Sequence, residues 1–97
     1  MSSEAEKIAN LRSAFLQAAA LGDALAMKPY LACEDGAHKP MMLVSAFAPA
    51  IARGHKEAAA LILKEASKYG VTVEELGFFA DEAGQSRLFA RLLYPSN

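Results

Sequence analysis

The sequence predicts an all-α fold of about six helices arranged as three antiparallel pairs. Of its 97 residues, 21 are alanine and 12 are leucine, two residues with high helix propensity. Valine, isoleucine and threonine, whose branched Cβ restricts the side chain in a helix, together number only seven. Apolar residues also recur at steps of three and four, which is the spacing of one helix face. These observations argue against a fold rich in β-strands.

The first two helices are predicted from the residues at their ends. A capping box that begins at Ser3 opens helix 1, predicted at 4–20. Gly22 suits the left-handed position that closes a helix. Asp23 is a favourable N-cap for helix 2, predicted at 24–32.

Helix 3 is predicted at 40–53, because Pro40 fits the first position of a helix and Gly54 follows the last. Pro29 lies inside helix 2 and Pro49 lies inside helix 3. A proline inside a helix removes a backbone donor, so the sequence allows a kink, a late start or a division into shorter helices.

The remaining helices have regular signals. Gly70 and Gly84 are placed to end helices 4 and 5, and Thr72 begins a second capping box. The apolar side of helix 4 is the most regular in the chain. Helices 4, 5 and 6 are predicted at 56–68, 73–82 and 86–93.

The short turns repeat along the chain. Gly22, Gly54 and Gly84 are separated by 32 and 30 residues, and each follows an alanine by four positions and precedes a leucine by nine. Such a pattern is typical of helix pairs that stack, because one pair cannot bury both of its sides alone. The predicted units are 4–32, 40–68 and 72–93, within a single domain over 1–97.

One of these units resembles a known family. The segment 50–63 is similar to the second half of an ankyrin repeat, and weaker copies lie at 79–93 and 17–31. The family's Thr-Pro-Leu-His opening is absent, and helix 3 is too long for the family. The resemblance implies a degenerate ankyrin-like stack, with a six-helix bundle as the alternative. The matching residues are Ala50, Gly54, His55, Glu57, Ala58, Ala59, Leu61, Ile62 and Leu63.

Charge and composition narrow the class of function. The formal net charge is −1, which argues against the electrostatic footprint of a nucleic-acid binder. Cys33 is the one cysteine, so no intrachain disulfide forms. The polar start of the chain does not resemble a secretory signal, and the longest apolar stretch, 41–52, is too short to span a membrane. We therefore expect a cytoplasmic protein without a membrane segment.

Candidate chemical groups are few. Cys33 and His38 share one loop with Glu34 and Asp35, but they do not make the three or four ligands of a metal site or a nucleophile with its base. His55 could act as a general base, whereas the ankyrin resemblance implies a structural histidine that hydrogen-bonds across the turn. We expect no cofactor, no metal and no enzymatic activity.

The resemblance implies a non-enzymatic adaptor that binds another protein through its loop tips and inner helices. We predict contacts in the loop 34–39 and the start of helix 3, at Asp35, His38, Lys39, Met41 and Met42.

Two alternatives for partner binding remain open. In the first, the chain is a homo-oligomer whose terminal helix pairs pack together, because the apolar side of helix 6 looks poorly covered. In the second, a basic stripe on helix 4 docks an acidic partner, unless it is merely solvated. The stripe contains Arg53, Lys56, Lys64 and Lys68.

Overall fold

The computed structural model describes residues 3–95 and contains six α-helices and no strand in that range. The all-α prediction is therefore confirmed, and every predicted helix end lies within two residues of the observed one. A short 3-10 turn, Ser67–Tyr69, extends the fourth helix. The helices are α1 (Glu4–Leu21), α2 (Ala24–Ala32), α3 (His38–Ala52), α4 (Lys56–Ala66), α5 (Val73–Glu82) and α6 (Ser86–Leu93).

Side-chain caps explain where three of the helices begin. The hydroxyl of Ser3 accepts a hydrogen bond from the backbone N–H of Glu6 at 3.1 Å, and that of Thr72 accepts from the backbone N–H of Glu75 at 3.2 Å. The carboxylate of Asp23 accepts from a backbone N–H of α2 at 3.1 Å. Pro29 and Pro49 lie inside α2 and α3, and each helix continues through its proline as one element.

The helices form two rows with the core between them. The odd-numbered helices form one row, in which α3 contacts both α1 and α5. The even-numbered helices form the other, in which α4 contacts α2 and α6. Each even helix also contacts the odd helix that precedes it, so the rows close over one apolar layer. The molecule is elongated, with extents of 48 × 26 × 25 Å.

The core combines alanines with larger apolar side chains. Ala46, Ala50 and Ala59 are fully buried, and such small residues let neighbouring helices approach closely. Leu88 and Phe89 of α6 are each only 9 % exposed. The prediction that the apolar side of the last helix is poorly covered is therefore wrong at these two residues, because they pack into the core.

The three glycine turns share one geometry. Gly22, Gly54 and Gly84 have φ values of +78°, +72° and +70°, which only glycine adopts readily. In each turn the residue after the glycine donates its backbone N–H to the alanine carbonyl four positions before the glycine, at 2.8–2.9 Å. This bond satisfies a carbonyl that the helix end would leave unpaired.

The turns also contact one another in sequence. The imidazole Nε2 of His55 lies 3.1 Å from the carbonyl of Ala20, and the side-chain amide of Gln85 donates to the carbonyl of Ala52 at 3.4 Å. Each donor follows its glycine by one residue, and each acceptor precedes the previous glycine by two. We call these two bonds the turn ladder.

The units are nevertheless unequal, and the structure does not show ankyrin repeats. The first helix of the predicted units has 18 residues in α1, 15 in α3 and 10 in α5. The ankyrin resemblance and the division into antiparallel pairs therefore stay predictions.

Candidate functional site

The loop between α2 and α3 is held by an ion pair that reaches across the fold. The side chain of Asp35 is only 4 % exposed, and it accepts from Arg12 Nε at 2.9 Å and from Arg12 Nη2 at 2.6 Å. The phenol of Tyr30 donates to the same carboxylate at 2.5 Å. A two-pronged arginine–carboxylate pair fixes both distance and orientation, so the loop is tied to α1 and α2 at once.

These contacts set the charges of the cluster formed by Arg12, Tyr30 and Asp35. The hydrogen bonds from Arg12, against an opposing effect of burial, lower the pKa of Asp35 to about 2. Burial, and then the hydrogen bond to Asp35, raises the pKa of Tyr30 well above its ordinary value. At neutral pH the carboxylate is therefore ionised and the phenol is protonated, which is the pairing that the hydrogen bonds require.

Lys39 lies beneath the same loop and is only 1 % exposed. Its ammonium donates to the backbone carbonyls of Tyr30 and Cys33, both at 2.8 Å, and to that of Leu31 at 3.4 Å. It also lies 4.2 Å from the ring centroid of Tyr30. The cation thus pairs the last carbonyls of α2 and stacks on an aromatic face.

The five predicted contact residues therefore have different surroundings. The side chain of Asp35 is 4 % exposed and Lys39 is 1 % exposed, so both are turned inward. A partner contact at these two positions stays a prediction. His38 and Met41 are exposed, and Met41 is 66 % exposed. Met42 is half-buried and packs against the core.

Two residues of the cluster were not predicted from the sequence. Arg12 and Tyr30 hold Asp35, yet neither was singled out. A usable signal exists for Arg12, which lies on the apolar stripe of α1 four residues after Ile8 and three before Phe15. A cation in such a stripe needs a buried partner, but the stripe does not say which one.

The other candidate groups are placed structurally. The ring of His55 packs over Gly22, and its target carbonyl, that of Ala20, also accepts from Arg53 Nη1 at 2.7 Å. Among residues 3–95, no three His, Cys, Asp or Glu side chains come together as a metal site would require. Over the same range, none of the helices has the length and apolar character needed to cross a membrane.

A second surface feature lies in the row of even-numbered helices. A groove of about 370 Å³ runs between α2 and the end of α4. Its lining combines apolar side chains with two cations and one acid: Leu31, Ala32, Leu61, Tyr69, Lys28, Lys68 and Glu65. We call it the α2–α4 groove. The basic stripe predicted on helix 4 is exposed along its length, and Lys68 belongs to both features.

Comparison with known proteins finds no matching family model, no matching curated protein and no matching solved structure. The ankyrin resemblance therefore depends on the residues of segment 50–63 and its two weaker copies.

Proposed function

We propose that the chain is a non-enzymatic protein-interaction module that binds its partner through the start of α3. His38 and Met41 are the contact residues. The observation that carries this proposal is that these exposed side chains directly follow a loop held from inside by Arg12, Asp35 and Lys39. A surface that is already ordered loses less conformational entropy when a partner binds.

The chemistry of the two exposed residues suits such a contact. Methionine is unbranched and polarisable, so Met41 can adapt to an apolar pocket on a partner. The imidazole of His38 offers a donor and an acceptor beside it. Beneath them, Asp35 accepts hydrogen bonds from Arg12 and Tyr30, and Lys39 donates to backbone carbonyls, which favours a structural role for these groups over a catalytic one.

The ankyrin resemblance supports the same class of function, because stacks of that family typically bind other proteins. The cytoplasmic location expected from the sequence belongs to this proposal as well.

Photo-crosslinking tests the proposed surface directly. A photoreactive amino acid is placed at position 38 or 41 of the full chain, and the matched control is the exposed position of Ala60 on α4. We expect one discrete crosslinked adduct with a partner protein from positions 38 and 41, and none from position 60. An excess of the original chain, without the photoreactive amino acid, should compete for the partner and remove the adduct.

Used as the competitor, the paired variant His38→Ala with Met41→Ala should fail to remove the adduct. Its helical circular dichroism should be unchanged. Asp35 is left unchanged, because removing its carboxylate would loosen the loop as well as the surface. If the paired variant competes as well as the original chain, or if position 60 gives the same adduct, the proposed surface is wrong.

A further inference from the structure

The outer face of α5 has an exposed aromatic ring among carboxylates. Phe78 is 59 % exposed at the middle of this helix. Positions three and four residues away in both directions are its neighbours on the helix surface, and all four are acidic. The helix contains no lysine or arginine. We call this set the Phe78 patch, and its acidic members are Glu74, Glu75, Asp81 and Glu82.

This pattern is costly unless something covers it. Burying an exposed aromatic ring lowers the free energy of the system, so leaving it in water is unfavourable. The surrounding carboxylates also repel one another. Of the four acids, Asp81 accepts a hydrogen bond from Ser86 at 3.2 Å. A surface that buries the ring and supplies cations around it would relieve both costs.

The α2–α4 groove has the complementary pattern. Leu31, Leu61 and Tyr69 offer an apolar lining, and Lys28 and Lys68 offer the cations. Its volume of about 370 Å³ is ample for an aromatic ring, since an apolar cavity of about 150 Å³ holds benzene. Lys68 is paired at 3.4 Å with Glu65, a largely buried acid that also lines the groove, whereas the Lys68 side chain itself is 60 % exposed and can reach a second chain.

Charge complementarity extends beyond the groove. The even-numbered row, with the 3-10 turn that follows α4, carries six lysine and arginine residues and two glutamates. In contrast, α5 carries four acids and no base. Opposite charges arranged in this way speed the encounter of two surfaces and fix their orientation.

We propose that the occupant of the α2–α4 groove is a second copy of this chain, whose Phe78 enters the groove while its acidic neighbours meet Lys28 and Lys68. The patch lies in the odd-numbered row and the groove lies in the even-numbered row. One two-fold axis therefore does not bring both contacts together, and the association is head to tail. This proposal uses other residues than the partner surface at His38 and Met41, so each can fail alone.

Sedimentation of the full chain from micromolar to millimolar concentration tests the self-association. We expect the average mass to rise past that of a dimer and to fall when salt is added, because the contact is partly ionic. Phe78→Ala should weaken the association about tenfold or more, as expected for a central aromatic contact. The same loss is expected for Lys28→Glu with Lys68→Glu.

A matched control separates the groove from general charge effects. Lys56→Glu with Arg87→Glu changes the net charge equally and alters the same basic row outside the groove. This pair should keep most of the association. All the altered side chains are exposed, and the melting temperature of each variant verifies that the fold is intact.

Mixing charge-reversed chains gives the sharpest result. The groove variant Lys28→Glu with Lys68→Glu and the patch variant Glu74→Lys with Glu75→Lys should each remain monomeric. Mixed together, they should associate again, because the unaltered patch of the groove variant meets the unaltered groove of the patch variant. A chain that stays monomeric at millimolar concentration, an association unchanged by Phe78→Ala, or a mixture without recovery overturns the proposal. Capture of a foreign acidic segment by a monomeric chain would also overturn it.

Discussion

Lys39 shows how a buried cation can be accommodated without a carboxylate partner. A helix leaves its last carbonyls unpaired, and the partial negative charge of the helix dipole gathers at the same end. The ammonium has three protons, and it meets carbonyls of Tyr30, Leu31 and Cys33 at the end of α2. The side chain therefore closes α2 and fastens it to α3.

Asp35 contributes to the same fastening in a way that depends on pH. Its folded pKa of about 2 is below the ordinary value of 3.8, so the folded state favours the ionised carboxylate. The resulting stability is fully present above about pH 4 and is lost as the pH falls towards 2. Asp35→Asn should lower the free energy of unfolding at pH 7 by about 1–2 kcal/mol, a discounted figure because Arg12 is partly solvated.

Urea denaturation at several pH values measures this difference. The gap between the original chain and Asp35→Asn should shrink steadily from pH 4 to pH 2. Asp23→Asn is the matched control, because asparagine also serves as an N-cap and this residue is exposed. A gap that is constant with pH would show that the carboxylate is not stabilised in the folded state.

The loop residues also mark where reasoning from the sequence stops. Polar residues beside the Asp35-Gly36 turn predict exposure, and this holds for His38 but fails for Lys39. The carboxylate of Asp35 is paired with Arg12, which is 23 residues away, and no local pattern shows that pairing. The sequence predicted a loop here with candidate contact residues, but it could not tell which of their side chains turn inward.

At the level of elements, the chain was predictable because its helix ends have strong local signals. Ser3, Asp23 and Thr72 cap helices as predicted, and Gly22, Gly54 and Gly84 close turns as predicted. The two prolines were harder to interpret, since their effect depends on whether the surrounding packing holds the helix together. The core supplies that packing for α3, where Ala50 and Ile51 next to Pro49 are fully buried.

The glycine turns differ in how much a side chain would cost. A Cβ on Gly22 would lie 2.6 Å from Nδ1 of His55, whereas a Cβ on Gly84 would meet nothing within 4 Å. Gly84→Ala should cost about 1 kcal/mol for the left-handed backbone alone. Gly22→Ala should cost at least about 1 kcal/mol more, because His55 must move and lose its bond to Ala20.

Urea denaturation of the two variants compares these costs directly, since their φ values of +78° and +70° are nearly equal. His55→Ala in the Gly22→Ala background should remove most of the excess, because the clash disappears with the ring. Equal losses for the two glycine variants would mean that the first two turns are not in contact.

The whole molecule is elongated, so its helices differ in how many neighbours they have. Helix α3 contacts α1, α4 and α5, whereas α6 contacts only α4 and α5 among the stronger contacts. The repeating glycines predicted that successive turns are neighbours, and the turn ladder agrees. The order of the rows could not be predicted, because it depends on which faces of the helices are large and which are small.

This arrangement predicts graded stability along the chain. Helix α6 has eight residues and an N-cap without a side-chain hydrogen bond, and it lies at one end of its row. We expect native-state hydrogen exchange to show lower protection in α6 than in α3, because α6 can open without disturbing the centre. Protection of α6 equal to that of α3 would mean instead that the molecule unfolds as one cooperative unit.

The turn ladder has a consequence for how the protein could change in length. His55 and Gln85 each bond a carbonyl of the preceding turn at the same relative position. A duplicated segment of about the repeat length would therefore donate to the turn before it and offer a carbonyl to the turn after it. Lengthening the chain by whole repeat units would then preserve these bonds, whereas an insertion of another length would leave its donor side chain without an acceptor carbonyl.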